Sequence, residues 1–133
     1  MLKYGTLTVS SVLHYQDYAE SYMFDNDPET FWHSGERNGG SWVRYVFNTE
    51  QVVSMVSIIR RQRQGVDRYK NVCFILKNAR AEEIEKKCTT ESYGKPFLHD
   101  TTIKVPFTSN LIVSEIQIIF NENYGQIAEL IIN

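Results

Sequence analysis

Apolar and polar residues alternate along most of this chain with the period-two pattern of half-buried strands. Over 3–10, Tyr4, Thr6 and Thr8 fall on one face and Gly5, Leu7 and Val9 on the other. Residues 10–21 are polar and aromatic with little period, a loop carrying His14, Tyr15 and Tyr18. The stretch 35–40 holds three glycines and reads as a second loop. Residues 41–47 read as a strand, Asn48-Thr49-Glu50 as a turn, and 52–59, rich in Val, Ile and Ser, as a central strand buried on much of both faces. Residues 60–70 are polar and basic, with a bend at Gly65, and 71–76 form a further buried strand. The mixture of Ala, Glu and Lys over 79–87 is the one helix candidate; its single strong apolar anchor, Ile84, leaves a strand and turn as the alternative. Tyr93-Gly94-Lys95-Pro96 is a turn. Ile103, Val105 and Phe107 alternate with Lys104 and Pro106, and Pro106 places that strand at a sheet edge or its end. A long strand over 111–120, a turn over 121–125 and a last strand over 127–132 complete the chain.

About eight evenly spaced strands joined by turns, with no βαβ alternation, predict an all-β fold. The architecture expected is an antiparallel β-sandwich, an eight-stranded jelly roll closing two sheets over one core. A chain of 133 residues is one domain, long enough to bury a core unaided. It shows no internal repeat and no low-complexity linker, so 1–133 reads as a single domain.

Composition narrows the partners. Apolar residues make up 42% of the chain, too many for a disordered segment. No apolar run approaches the ~18 residues of a membrane-spanning helix. A net charge of −2 argues against a nucleic-acid binder. No signal peptide precedes the first strand, which fits a module of a larger secreted protein. Cys73 sits in the apolar run Val72-Cys73-Phe74-Ile75-Leu76 and is expected to be a buried free thiol; its distance from Cys88 matches no zinc pattern.

The densest chemistry lies in Phe24-Asp25-Asn26-Asp27-Pro28-Glu29-Thr30-Phe31-Trp32-His33-Ser34. Asp25 and Asp27 flank Asn26, which tolerates a left-handed turn, and Pro28 stiffens the chain just after it. Carboxylates, the Thr30 hydroxyl and backbone carbonyls offer the hard oxygens that a calcium ion takes. The bland alternative is a polar turn in which Asp25 caps backbone amides. An EF-hand fits worse, because Thr30 stands where that loop needs Gly and no helices flank it. Trp32 and Trp42 are expected in the core. His14 and His99 carry no pattern. No nucleophile–base order, glycine-rich phosphate loop or facing carboxylate pair indicates catalysis.

With Met23 before it, that stretch resembles the signature of the discoidin, or coagulation factor V/VIII type C, family. Gly40-Ser41-Trp42-Val43, Ile58-Ile59-Arg60-Arg61-Gln62 and Ile127-Ala128-Glu129-Leu130-Ile131 follow in the family's order. Within the family the chain looks most like bacterial carbohydrate-binding modules with a galactose-binding-like jelly roll. The resemblance implies a structural calcium held by the Asp25 carboxylate, the Thr30 hydroxyl and carbonyl, the Glu129 carboxylate and the carbonyls of Tyr22, Asp27 and Ala128. Asn26 stands in place of the family's usual glycine.

The resemblance also implies a sugar pocket. A histidine after the Trp, here His33, and an arginine at a strand end, Arg61 or Arg60 if the register shifts by one, would hydrogen-bond a sugar. Guanidinium offers a rigid fork of donors to neighbouring hydroxyls, and imidazole can donate or accept. Arg68, seven residues beyond Arg61, matches the spacing of fucose-binding relatives, but Arg63 stands where those carry Asp. Asp67, Arg68 and Asn71 compete for the polar role in the next loop, and Tyr124 and Tyr15 are candidate stacking residues. The alternatives are His33 bonding a backbone group and the arginines forming a solvated basic loop.

The function expected is that of a non-catalytic module, monomeric and attached to a larger chain, that binds a terminal galactose-, fucose- or amino-sugar-like residue beside a glycan-processing enzyme. Its location would be extracellular, periplasmic or at the cell surface. The alternative is an adhesion module for a protein or phospholipid surface, or a spacer whose pocket has decayed.

Overall fold

The computed structural model describes residues 4–13, 18–27, 29–59, 71–89, 102–108, 111–122 and 124–133. The sequence-derived turn at 93–96, the basic loop at 60–70 and the residues Tyr15, Arg60, Arg61, Asp67 and Arg68 lie outside them, as do His14 and His99.

Among the described residues the strands are β1 (Gly5–Val9), β2 (Trp32–His33), β3 (Ser41–Val52), β4 (Met55–Ile59), β5 (Val72–Lys77), β6 (Glu83–Cys88), β7 (Thr102–Pro106), β8 (Ile112–Phe120), β9 (Gln126–Ile127) and β10 (Glu129–Ile132). Eight of them build two antiparallel sheets, five strands in the order β1-β3-β8-β5-β6 and three in the order β10-β4-β7, while β2 and β9 pair separately. Val43, Tyr45, Phe74, Leu76, Ile116 and Ile118 from the larger sheet join Val56, Ile58, Ile103, Val105 and Leu130 from the smaller in one buried cluster. This is the expected sandwich, and each large aliphatic or aromatic side chain buried there contributes about 1.5–3 kcal/mol. Pro106 ends β7, an edge strand as expected.

Several expectations are corrected. Asn48-Thr49-Glu50 is not a turn between strands but part of β3. Its register against β8 jumps there, from Val46↔Glu115 to Gln51↔Val113, so the extra residues bulge out of the ladder. The run 52–59 is not one strand. The Val53 N–H donates to Leu111 O and the Ser54 N–H to Asn133 O, so the chain passes from one sheet to the other between these residues.

The segment 79–87 is strand and turn, not helix. Asn78 Oδ1 accepts the N–H groups of Arg80 and Glu82, Ala81 takes a φ of 61°, and β6 follows. Cys73 is no free thiol. It faces Cys88 across the β5–β6 ladder with Cα atoms 3.9 Å apart, and the two form a disulfide. Trp42 is not in the core either. Ser41, Val43 and Tyr45 point inward, so Trp42 turns to the outer face beside its partner Ile119, half-buried.

A 3-10 helix, Glu20–Phe24, drops Met23 into the core just before the acidic turn. Trp32 follows that turn and is fully buried, its Nε1–H donating to Ser11 O at 3.0 Å. Acidic turn, buried Trp32 and His33 are thus joined within a few residues of chain.

Candidate functional site

Two clusters form around this stretch. In the first, Asn26 has a φ of 60°, the left-handed conformation expected of it. The Asp27 N–H lies 2.9 Å from Asp25 Oδ1 and 3.1 Å from Glu129 Oε1, so one amide faces two carboxylates. Asp27 Oδ1 accepts the Glu29 N–H at 3.0 Å. The Asp27 carbonyl accepts both the N–H of Thr30, at 3.2 Å, and its hydroxyl, at 3.0 Å. That same hydroxyl lies against Asp25 Oδ2. Two oxygens therefore compete for one hydroxyl proton.

The electrostatics agree. Burial, reinforced by a hydrogen bond to Asp25 and the repulsion of its charge, pushes Glu129 up to about 7, against the pull of the Asp27 and Asn26 amides. Burial works to raise Asp25 as well, but hydrogen bonds from Thr30, Glu129 and the Asp27 amide hold it below the ordinary carboxylate range. The two carboxylates titrate as a pair. Tyr22 lies in the 3-10 helix, and Ala128 is buried between β9 and β10 with its N–H on Ile59 O. The oxygens brought together, from Asp25, Asp27, Thr30 and Glu129, include two carboxylates at close quarters and fit a hard cation.

In the second cluster His33, 6% exposed, stands at the end of β2 opposite Gln126. Its Nδ1 lies 2.7 Å from Ser34 O. A carbonyl only accepts, so Nδ1 carries the proton of this bond, and in a neutral imidazole Nε2 is then the acceptor. The Tyr124 ring centroid is 4.8 Å from the imidazole, Tyr18 is at 5.4 Å and Phe31 at 6.2 Å. Imidazole and aromatics together can offer a sugar one polar atom and an apolar wall for its C–H face.

The structure thus brings His33 and Tyr124 together. Asn71 takes a φ of 51°, and Asn121 holds it, donating its N–H to Asn71 O at 3.1 Å. Three residues of the His33 cluster were not singled out as site residues in the sequence. Phe31 had a signal, because it stands two residues before His33 and strand neighbours at that spacing share a face. Tyr18 had none beyond its place in an aromatic loop. Gln126 had none either; it is fully buried, and neither its Oε1 nor its Nε2 finds a hydrogen-bond partner among the described residues.

Sandwich topology, acidic turn and imidazole face together define a galactose-binding-like jelly roll, the fold of known carbohydrate-binding modules. The F5/8 type C domain model matches residues 6–130, and the chain belongs to that family, also called discoidin. Among solved structures it is similar to the lectin domain of lectinolysin complexed with Lewis B antigen, at 14% identity and a TM-score of 0.80, covering 97% of this chain and 92% of that one. The family 32 carbohydrate-binding module of Clostridium perfringens NanJ, in complex with galactose, matches at 18% identity and a TM-score of 0.76, covering 96% and 92%. A Ruminococcus gnavus GH29 fucosidase in complex with fucose matches at 17% identity and a TM-score of 0.75, covering 98% of this chain and 25% of the enzyme. No curated protein matches in sequence.

Proposed function

We propose that this chain is a non-catalytic carbohydrate-binding module that takes a terminal galactose-, fucose- or amino-sugar-like residue at the His33 face. The observation that carries this reading is His33 itself. Its imidazole has one proton fixed on Ser34 O and aromatic rings of Tyr124, Tyr18 and Phe31 around it. A sugar hydroxyl donates to Nε2, and the Tyr124 ring meets the sugar's C–H face. Arg61 or Arg60, with Asp67, Arg68, Asn71 and Tyr15, supplies the remaining polar and stacking contacts.

A structural calcium completes the proposal, held by the Asp25 and Glu129 carboxylates, Thr30 and the carbonyls of Tyr22, Asp27 and Ala128. The shortage of protons among Asp25, Thr30 and Asp27 and the paired carboxylates support it. The module belongs to a secreted or surface protein beside a glycan-processing enzyme. The Cys73–Cys88 disulfide supports an oxidising compartment, and the fucosidase that contains a similar domain supports the attachment. Single-sugar binding is weak, and tethering converts it into a raised local substrate concentration.

A phospholipid-binding module carries apolar spikes on its loop tips. Among the described residues the most exposed large apolar side chains, Val52, Ile112 and Tyr4, stand on or beside strands. Val52 and Ile112 pair at the far end of β3 and β8 from Ser41 and Phe120, so the sugar reading is preferred.

Titration of the protein with galactose, fucose and N-acetylgalactosamine, with and without chelator, tests the proposal. Millimolar or tighter binding of one sugar, lost in His33→Ala, is expected. No binding of any of them by the wild-type protein rejects it.

A further inference from the structure

We propose that Glu36 is a positioning residue for the His33 face, acting through a one-way relay of serine hydroxyls. This inference rests on the reading that ligand binds at His33. One carboxylate oxygen, Oε2, accepts the hydroxyls of Ser11 at 2.6 Å and of Ser10 and Ser41 at 3.2 Å each. These serines come from two segments, Ser10 and Ser11 just after β1 and Ser41 at the start of β3.

A carboxylate only accepts, so it fixes the direction of all three hydroxyls. Their oxygens then accept from elsewhere. Ser10 Oγ takes the Trp42 N–H at 3.0 Å, and Ser11 Oγ takes the Gly35 N–H at 2.8 Å. Ser41 Oγ, its proton committed to Glu36, accepts from Ser34 Oγ at 2.7 Å. Ser34 Oγ in turn accepts the Gly125 N–H at 2.8 Å. The relay therefore runs from Gly125 through Ser34 and Ser41 to Glu36, with every proton pointing the same way.

Its far end is the ligand face. Ser34 follows His33 and receives the imidazole Nδ1 proton on its carbonyl at 2.7 Å. The Ser34 N–H also donates to Gly125 O at 2.8 Å, so Ser34 and Gly125 hold each other twice. Gly125 follows Tyr124, whose ring packs on the imidazole. Ser34 and Ser41 are fully buried, where a hydroxyl left without its partner is destabilising. One anion therefore sets the placement of Ser34, and through it the tautomer of His33 and the seat of Tyr124.

The test uses Glu36→Ala, Glu36→Gln and Ser41→Ala in the full chain. Nitrogen-15 NMR reads the His33 tautomer, and titration with the sugar bound by wild type reads affinity. Glu36→Ala is expected to mix the two ring tautomers and to weaken sugar binding about tenfold, the scale on which supporting partners commonly act. Glu36→Gln, which keeps an acceptor oxygen, restores most of both. Ser41→Ala cuts the relay but leaves Ser10 and Ser11 on the carboxylate; it reproduces the tautomer shift and decides the matter if Glu36→Ala does not fold. An unchanged His33 spectrum in the folded variants overturns the proposal, as does a sugar affinity in those variants equal to that of a wild type that binds. If the wild type binds no sugar, the ligand reading falls, and the His33 spectrum alone upholds or overturns the relay.

Discussion

Glu129, on β10, accepts the backbone N–H of Asp27 at 3.1 Å across 102 positions of sequence. The carboxylate that comes with it has Asp25 as a neighbour, and burial and that neighbour raise Glu129 from 4.5 to about 7. A raised acid favours the folded state while protonated. In metal-free protein its contribution is therefore complete below pH ~4.5 and is lost as pH rises through about 7. Unfolding by urea in chelator is expected to show stability falling between pH 5 and 8, by at most about 3 kcal/mol at ~1.4 kcal/mol per unit. Saturating calcium, which favours both ionised carboxylates, should abolish the fall. Identical pH curves with and without calcium would exclude the proposed ion.

Glu129→Gln separates the two effects of that carboxylate. Without calcium at pH 8 the variant should be more stable than wild type, because a neutral amide does not repel Asp25. With calcium it should lose most of the rise in Tm that the ion gives wild type, because one anionic ligand is gone. Thermal scans of both proteins in chelator and in calcium check the change of sign. A variant that gains as much from calcium as wild type does contradicts the ligand assignment.

Gly125 has no room for a side chain. A Cβ there would stand 2.5 Å from Trp32 Cη2 and 3.1 Å from Phe120 Cδ2. Gly125→Ala must move the buried indole or the segment bearing Tyr124. The expected loss is about 1–3 kcal/mol in stability from urea unfolding, with an altered near-ultraviolet Trp signal. Wild-type stability in this variant would show that the indole shifts at no cost.

The Cys73–Cys88 disulfide closes a loop with a sequence separation of 15 and staples edge strand β6 to β5. Replacing both cysteines with Ser should lower stability by about 2–4 kcal/mol, and reductant should do the same to wild type. Alkylation of the unfolded, unreduced protein followed by mass measurement checks the bond. Two alkylated cysteines would show that it does not form.

The period-two alternation made β1, β7 and β8 legible, because each buries one face or sits between paired strands. Pro106 marked an edge and Asn26 a left-handed turn for local reasons that no distant residue overrides. Where distant residues decide, the reading slipped. Asn48-Thr49-Glu50 has the composition of a turn, and the ladder with β8 absorbs it as a bulge. The Ala, Glu and Lys of 79–87 favour helix locally, but Leu76↔Glu85 and Cys73↔Cys88 pairing makes the segment a strand. Misreading that segment hid the disulfide, since only the strand register sets Cys88 opposite Cys73. Trp42 looked like core by residue type, but its parity against Val43 and Tyr45 turns it outward. In the two clusters, Asp25 and Thr30 stood out as hard oxygens in an acidic turn, while Glu129 and the role of His33 came from the family resemblance. Glu36 and its serines were not, because hydroxyls drawn from separate segments onto one oxygen leave no pattern in a linear string.

The smaller sheet has a consequence for synthesis on the ribosome. Its central strand, β4, carries the apolar run Met55-Val56-Ser57-Ile58-Ile59 and gains its neighbours only when β7 and then β10 emerge. Until then its two sides offer open hydrogen-bonding edges, which pair readily with other nascent chains. A ribosome stalled before residue 129 would therefore hold a chain whose larger sheet could close while β4 stayed half-paired. Its last open edge closes only with the same few residues of β10 that bring in Glu129.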